Sequence, residues 1–290
     1  MSLSSQKILN ISITTVSRKV VLEEIKKYLS SGRAGNGKQT QKQVRPLVVV
    51  TPNPEQIVFA RAHPFFRDLL NRADVALPDG IGIIGASRFL LSRKHEAAQK
   101  PITERIPGVE FVENLVAIAS KRGIRIGLIG GFDGLAVRAL ECLQARYPGL
   151  NGWAETGPEL ARDTPAQIDA LGNAYWSGLA QKIRENHVQI LFVGLGAPKQ
   201  EYVIDRLVRE SKTAKLSDPL VMMAVGGTFN ILAGTLKRAP QVIRSMGFEW
   251  FWRLLQEPWR WKRQIALIQF VWLVLYEKCI SFFRKPGITG

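Results

Sequence analysis

The sequence predicts an α/β fold: a Rossmann-like, mostly parallel sheet flanked by helices, followed by a basic, aromatic helical appendage. Three observations predict it. Apolar, strand-like runs alternate with amphipathic segments along most of the chain. Three of those runs pass through glycine turns straight into helices, at Gly130-Gly131, Gly194-Leu195-Gly196 and Gly226-Gly227, the pattern of parallel strand pairing. The pattern then stops, and residues 241–290 read as helix rich in Trp and Arg. A division follows into an α/β body, 1–240, and an appendage, 241–290.

Taken in order, Ile8–Ile13 alternates as one strand and Arg18–Leu29 has helical spacing. Ser31–Pro46, rich in Gly, Gln and Lys, reads as a surface loop. Leu47–Val50 is a buried-type strand ending at Thr51-Pro52-Asn53-Pro54, and Glu55–Asn71 reads as one helix. Val75–Leu77 is a short strand ending at Pro78-Asp79-Gly80, with a helix following through Leu91. Ser92–Thr103 is polar and loop-like, and Val109–Lys121 is helical. The three strand–turn–helix units are Arg125–Ile129 into Leu135–Tyr147, Gln189–Val193 into Lys199–Glu210, and Leu220–Val225 into Phe229–Ala233. Gln241–Leu255 is helical. Pro258 suits the first turn of a second helix running through Phe283. Its apolar run, Ile265–Tyr276, falls short of the ~18–20 residues that span a bilayer, so an interfacial or packed helix is expected.

Composition removes several classes. With 46% hydrophobic residues among 290, the chain is not disordered. Two cysteines, Cys142 and Cys279, cannot make a disulfide scaffold and suit a reducing cytosol. Residues 1–7 lack a basic-then-apolar pattern, so no secretory leader is expected. Gly32–Gln39 imitates a P-loop but has Gln39 where the Mg²⁺-binding hydroxyl belongs, and no G-x-G-x-x-G occurs. The three histidines are scattered and no Asp-x-Asp pair exists, so neither a metal nor another cofactor is expected. The net charge of +16 calls for an anionic partner.

In parallel sheets ligands sit beyond the carboxyl ends of strands. Thr51, Asn53 and Asp79 lie at two such ends and converge if both strands share the sheet. Asp79, between Pro and Gly, is a candidate functional carboxylate, or else the N-cap of the helix that follows. Glu104-Arg105, before Pro107-Gly108, presents a charge pair that is either functional or a surface salt bridge. Lys199, Gln200 and Glu201 open a helix where an anion could bind, or where they only cap it. Gly226-Gly227-Thr228 ends a further strand with free backbone N–H groups.

Taken together these motifs resemble the WecG/TagA/CpsF family of bacterial glycosyltransferases. The resemblance rests on Thr-Pro-Asn-Pro-Glu (51–55), Pro-Asp-Gly-Ile-Gly (78–82), Glu-Arg-Ile-Pro-Gly (104–108), Gly-Leu-Gly-Ala-Pro-Lys-Gln-Glu (194–201), Val-Gly-Gly-Thr-Phe (225–229), Arg-Ala-Pro (238–240) and the Trp/Arg run at 249–260. It covers about residues 8–263; the loop at 31–46, the insertion at 92–103 and the extension after Arg263 depart from it. It implies inverting, metal-free transfer of a hexose-type sugar, N-acetylmannosamine or a relative. The donor is a UDP-sugar, the acceptor a polyprenyl-diphosphate-linked sugar, and the product a cell-envelope polysaccharide or teichoic-acid linkage unit. By the resemblance Asp79 is the base and Thr51 and Asn53 bind sugar or acceptor. Lys199, Gln200 and the tail arginines are candidates to meet the leaving UDP, Glu201 and Gly227 belong to the same crevice, and Arg105 takes the lipid diphosphate. Arg253, Arg260 and Arg263 match the basic positions of the family's C-terminal region.

That region holds seven basic residues between Lys237 and Arg263, and five of the seven Trp follow residue 249. Amphipathic indoles suit a bilayer interface. A cytoplasmic protein bound peripherally to the anionic inner face of the plasma membrane is therefore expected, with room for a homo-oligomer. The alternative is a nucleic-acid-binding module that uses the same tail for stacking and phosphate contact. It has no need of an Asp at Pro78-Asp79-Gly80, and the leading reading includes no nucleic acid.

Overall fold

A computed structural model of the chain describes residues 3–31, 45–91, 100–160, 165–213 and 218–283. The near P-loop and most of the two loops read at 31–46 and 92–103 lie outside these residues. Among the described residues the core is a six-stranded sheet in the order β4-β3-β8-β7-β5-β6. Its strands are β3 (Leu47–Val50), β4 (Val75–Ala76), β5 (Ile126–Gly130), β6 (Gly152–Glu155), β7 (Ile190–Gly194) and β8 (Val221–Ala224). Every pairing is parallel. A separate antiparallel hairpin joins β1 (Ser5–Ile8) to β2 (Ile11–Thr14). The expected single strand over 8–13 is this hairpin, because Leu9 and Asn10 take positive φ values of 47° and 69° and reverse the chain.

Strand residues are apolar on both faces, as a covered parallel sheet requires. On β7, Ile190 and Phe192 enter one core while Leu191 and Val193 enter the other. The first core is built by α1 (Arg18–Ser31), α5 (Gly108–Arg122), α6 (Leu135–Arg146) and α10 (Thr228–Leu232). On the other face lie the hairpin and α2 (Pro54–Ala62), α3 (Pro64–Arg72), α4 (Ile81–Leu90), α7 (Pro165–Ala170), α8 (Gly172–Glu185) and α9 (Lys199–Thr213). The single helix expected over 55–71 is two, because Pro64 occupies the first turn of α3 and His63 ends α2. Strand β6 and helices α7 and α8 escaped the sequence reading. Strand β6 is half-buried on an edge and carries no long apolar run.

The tail forms α11 (Gln241–Ser245), α12 (Glu249–Gln256), a 3-10 turn at Pro258–Arg260, and α13 (Trp261–Phe283). Gly247, at φ 80°, separates α11 from α12, which the sequence had merged. Among the described residues no helix is long and apolar enough to cross a membrane. Helix α13 lies on α2 and α4. It buries Phe270 and Val274 in the core and holds Phe270 against the bare Cα of Gly82. Lys278 donates from its ammonium to the Leu90 carbonyl, 2.7 Å away.

Phe270→Ala should cost about 3 kcal/mol, the scale for emptying a buried aromatic site. Urea unfolding followed by far-UV circular dichroism reads this. A loss below about 1 kcal/mol would show that α13 is not docked through Phe270.

Candidate active site

The site forms where β3, β4 and β8 end side by side. Thr51, the first residue beyond β3, is buried, and its hydroxyl donates to the Ala224 carbonyl of β8 at 3.4 Å. The turn carrying Asp79 is pinned twice from the backbone. The Asp79 N–H donates to the Pro52 carbonyl at 3.2 Å, and the Ile106 N–H donates to the Pro78 carbonyl at 3.0 Å. Asp79 does not cap the helix that follows it: α4 begins at Ile81, its N-cap is Gly80, and it has no side-chain cap. Its carboxylate instead accepts from the Gly108 N–H at the start of α5, a helix that has no cap of its own. A carboxylate there gains from the helix dipole. Thr51 packs beside it, with its methyl 3.4 Å from where a Gly108 Cβ would stand.

Burial pushes the Asp79 carboxyl up to about 6, and the negative charge of Glu249 adds to the rise. The positive charge of Arg105, the Gly108 N–H and the charge of Arg253 oppose it. Both Glu249 and Arg253 come from α12, so the tail completes the surroundings of this carboxyl.

The expected Glu104–Arg105 pair does not form. Glu104 instead accepts from the Arg18 N–H at 2.9 Å and meets the Arg18 guanidinium at 3.5 Å. Arg105 pairs with Glu249 at 3.3 Å. Asn53 is a helix cap, its Oδ1 accepting from the Gln56 N–H at 2.9 Å, which leaves its Nδ2 over. Gln200 and Glu201 are buried at 1% and 3% exposure. The Gln200 amide group donates to Glu201 at 2.9 Å, and its oxygen accepts from the Gly226 N–H at 2.7 Å. The Gly226 N–H is therefore not free, contrary to the sequence reading, and the Thr228 N–H is taken by the Val225 carbonyl. Glu201 is pushed up to about 7 by burial, against the Gln200 hydrogen bond, and its Oε2 has no partner. Lys199 is half-buried in the first turn of α9.

Gly227 lies directly under Arg253, and a Cβ there would overlap the guanidinium. Arg253 and Arg260 both bond Glu257, each at 2.9 Å, and Arg263 pairs with Glu55 at 3.4 Å. The three arginines read from sequence thus converge, two of them on Glu257, a carboxylate that the sequence reading did not single out. The i−4 and i+3 spacing of Arg253 and Arg260 about Glu257 was the available signal.

A second cleft, of about 540 Å³, lies between the segments that follow β5 and β6 and is lined by Phe132, Glu159, Leu160, Gln167, Ala170 and Leu171. On the other side of β5, the chain leaves β5 toward one sheet edge and β7 toward the other, a topological switch point. Backbones crowd closely: a Cβ on Gly130, at φ 126°, would stand 2.6 Å from the Gly194 carbonyl oxygen. Phe132 is 67% exposed at the cleft. The sequence reading missed this aromatic, although it directly follows a glycine pair. Among the described residues no group of three His, Cys, Asp or Glu side chains could hold a metal ion.

A carboxylate at a helix N-terminus, within the field of Arg105 and Arg253, thus lies at the carboxyl ends of a parallel sheet, where α/β folds bind ligands. The chain belongs to the WecG/TagA/CpsF family of glycosyl transferases, whose family model matches residues 6–282, and it is a glycosyltransferase. It is 28% identical over 270 residues to an N-acetylglucosaminyldiphosphoundecaprenol N-acetyl-beta-D-mannosaminyltransferase of Staphylococcus aureus strain MW2, covering 93% of this chain and 90% of that protein. To the protein of the same name in Bacillus spizizenii strain W23 it is 29% identical over 242 residues, 83% of each chain. The nucleic-acid reading finds no support.

Asp79→Asn should stabilise the protein. Because the folded pKa lies above the usual carboxylate value, the native state holds the proton longer than the unfolded chain, and wild-type stability falls as pH rises from about 4 to 6. The asparagine variant lacks this loss. Above pH 6 it should be more stable by roughly 1–3 kcal/mol, discounted because Asp79 is partly exposed. Denaturation at pH 4 and pH 8 measures the difference. An equal gap at both pH values would show that the carboxyl is not titrating in this window.

Proposed function

We propose that this glycosyltransferase moves a hexose-type sugar, N-acetylmannosamine or a relative, from a UDP-sugar to a polyprenyl-diphosphate-linked sugar, with inversion. The observation that carries the reading is Asp79, its carboxyl buried at the Gly108 N–H and within the field of Arg105 and Arg253. The Staphylococcus and Bacillus relatives carry this donor sugar class and acceptor in their names.

A sugar hydroxyl is a poor nucleophile until a base takes its proton in the transition state. Asp79 is that base. It accepts the proton as the hydroxyl oxygen bonds the donor's anomeric carbon and the bond from that carbon to the UDP oxygen breaks. Negative charge then grows on the departing diphosphate, and Arg253, Arg260 and Arg263 supply the countercharge. Planar guanidinium forks suit phosphate oxygens, and Arg105, paired with Glu249 of α12, serves the acceptor's diphosphate. The Thr51 hydroxyl and the Asn53 Nδ2 serve the sugars, and Lys199 lies at the entrance to the same crevice. Gln200 and Glu201 work one layer back by holding the Gly226-Gly227 turn on which Arg253 lies. The cleft beside the end of β5 receives the nucleoside, with the exposed Phe132 offering a ring face to the base.

The appendage, 241–290, brings the site to its lipid substrate at the cytoplasmic face of the membrane. On α13 the side away from the body exposes Ile265, Ile268, Val271, Trp272, Leu275 and Tyr276, with Ile268 at 73%. Trp259 and Trp261 extend that surface. Apolar area of this kind binds a bilayer interface, and each basic residue near an anionic leaflet adds about 1 kcal/mol.

With a UDP-sugar panel, a polyprenyl-diphosphate-GlcNAc analogue and EDTA in the buffer, the wild type should form product, and its rate should rise with pH through about 6 as Asp79 loses its proton. Asp79→Asn should lower turnover by ~10²–10⁴-fold. No product with any UDP-sugar, or wild-type turnover in the variant, would sink the reading.

Ile268→Glu with Trp272→Glu should release the protein from phosphatidylglycerol vesicles in a flotation assay while leaving turnover on a soluble acceptor intact. Unchanged vesicle binding refutes the membrane assignment of α13. A fall in solution mass instead assigns this face to a second copy of the chain.

A further inference from the structure

We propose that Glu257 is a positioning residue for the transfer reaction: its carboxylate holds the guanidinium groups of Arg253 and Arg260 together as one diphosphate-binding clamp. The inference rests on the reading of these arginines as the diphosphate site and assigns a role to a residue in none of the binding positions named above.

The geometry is specific. Glu257 Oε2 accepts from Arg253 Nε at 2.9 Å and from Arg260 Nη1 at 2.9 Å. One oxygen therefore serves both arginines and takes one nitrogen from each. The other guanidinium nitrogens keep N–H donors for a ligand, and Nη2 of Arg253 is the nitrogen lying against Gly227 at the end of β8. The backbone fixes the same arrangement. The Glu257 N–H donates to the Arg253 carbonyl at 2.9 Å, and the Arg260 N–H donates to the Glu257 carbonyl at 3.0 Å. Glu257 is thus the elbow between α12 and the 3-10 turn, and Pro258 in that turn leaves it little freedom.

Charge makes this carboxylate necessary. Arg260 is pushed below its ordinary range by burial, then by the neighbouring charges of Arg253 and Arg263, with Glu257 working the other way. Three guanidiniums this close repel, and only carboxylates keep them gathered before a substrate arrives. Burial acts to raise Glu257, but the hydrogen bond and charge of Arg253, with those of Arg260, outweigh it and hold the group below the usual carboxylate range. It stays ionised at neutral pH. A carboxylate beside an anion site also repels the anion, so two roles predict opposite results. A competitor for the arginines weakens diphosphate binding, whereas a positioning group strengthens it. Its use of a single nitrogen from each fork favours positioning, because a ligand need not displace it.

Calorimetric titration of the full chain with inorganic pyrophosphate separates the two, using wild type, Glu257→Leu and Glu257→Gln. The leucine variant removes charge and acceptor, and glutamine keeps an acceptor oxygen without the charge. Pyrophosphate affinity should fall about tenfold in Glu257→Leu and at least threefold in Glu257→Gln, with KM for the UDP-sugar rising in the same order. Affinity equal to or tighter than wild type in the glutamine variant overturns the proposal, and that variant decides the matter alone if the leucine protein does not fold. Failure of the wild type itself to bind pyrophosphate removes the diphosphate reading, and this inference with it. Wild-type binding that the substitutions leave unchanged removes only the role of Glu257.

Discussion

Charge held where water is scarce governs this molecule. Asp79 needs two supports to remain usable: the Gly108 N–H at the bare start of α5, and the positive charges of Arg105 and Arg253. Neither support is local in sequence. The first requires β3 and β4 to be neighbours, so that the turns after them can be tied together through Pro52 and Pro78. The second requires the tail to return across the sheet ends. The sheet order, the pinned turns and the docked appendage are all conditions for one carboxyl group to titrate near 6.

Glycine geometry does the same service for the arginines. Arg253 reaches the end of β8 only because Gly227 has no side chain, and the Gly226-Gly227 turn keeps its shape because Gln200 holds the Gly226 N–H. Gln200 is in turn oriented by Glu201, a buried acid with one unpartnered oxygen. Such a layered arrangement is costly in an interior, since a buried polar atom without a partner loses about 1–3 kcal/mol. It is better explained by placement of the next layer than by stability.

Much of the architecture was legible in the sequence, because buried parallel strands write continuous apolar runs and glycine turns mark their carboxyl ends. Val221–Ala224 and Ile190–Gly194 are of this kind. Strand β6 was not, because an edge strand half in solvent carries a mixed pattern. The hairpin at Leu9-Asn10 was missed because its turn uses a leucine at positive φ, where sequence alone argues against a reversal. At the site, residue types announced Asp79 and the arginines. Their partners were hidden: Glu104 and Arg105 are adjacent in sequence yet pair with Arg18 and Glu249, on α1 and α12. Ion pairs between distant elements leave no periodic trace.

The tail links two requirements that are usually separate. One side of α13 buries Phe270 and Val274, while the other leaves Ile268 and Trp272 in the open. The same chain, a few residues earlier, sends Arg253 and Arg260 into the site and Glu249 to Arg105. The exposed apolar side of α13 and the arginine cluster are therefore parts of one continuous run of chain, joined at Glu257-Pro258. Any force that seats α13 more firmly on α2 and α4 also steadies the arginines and the field at Asp79.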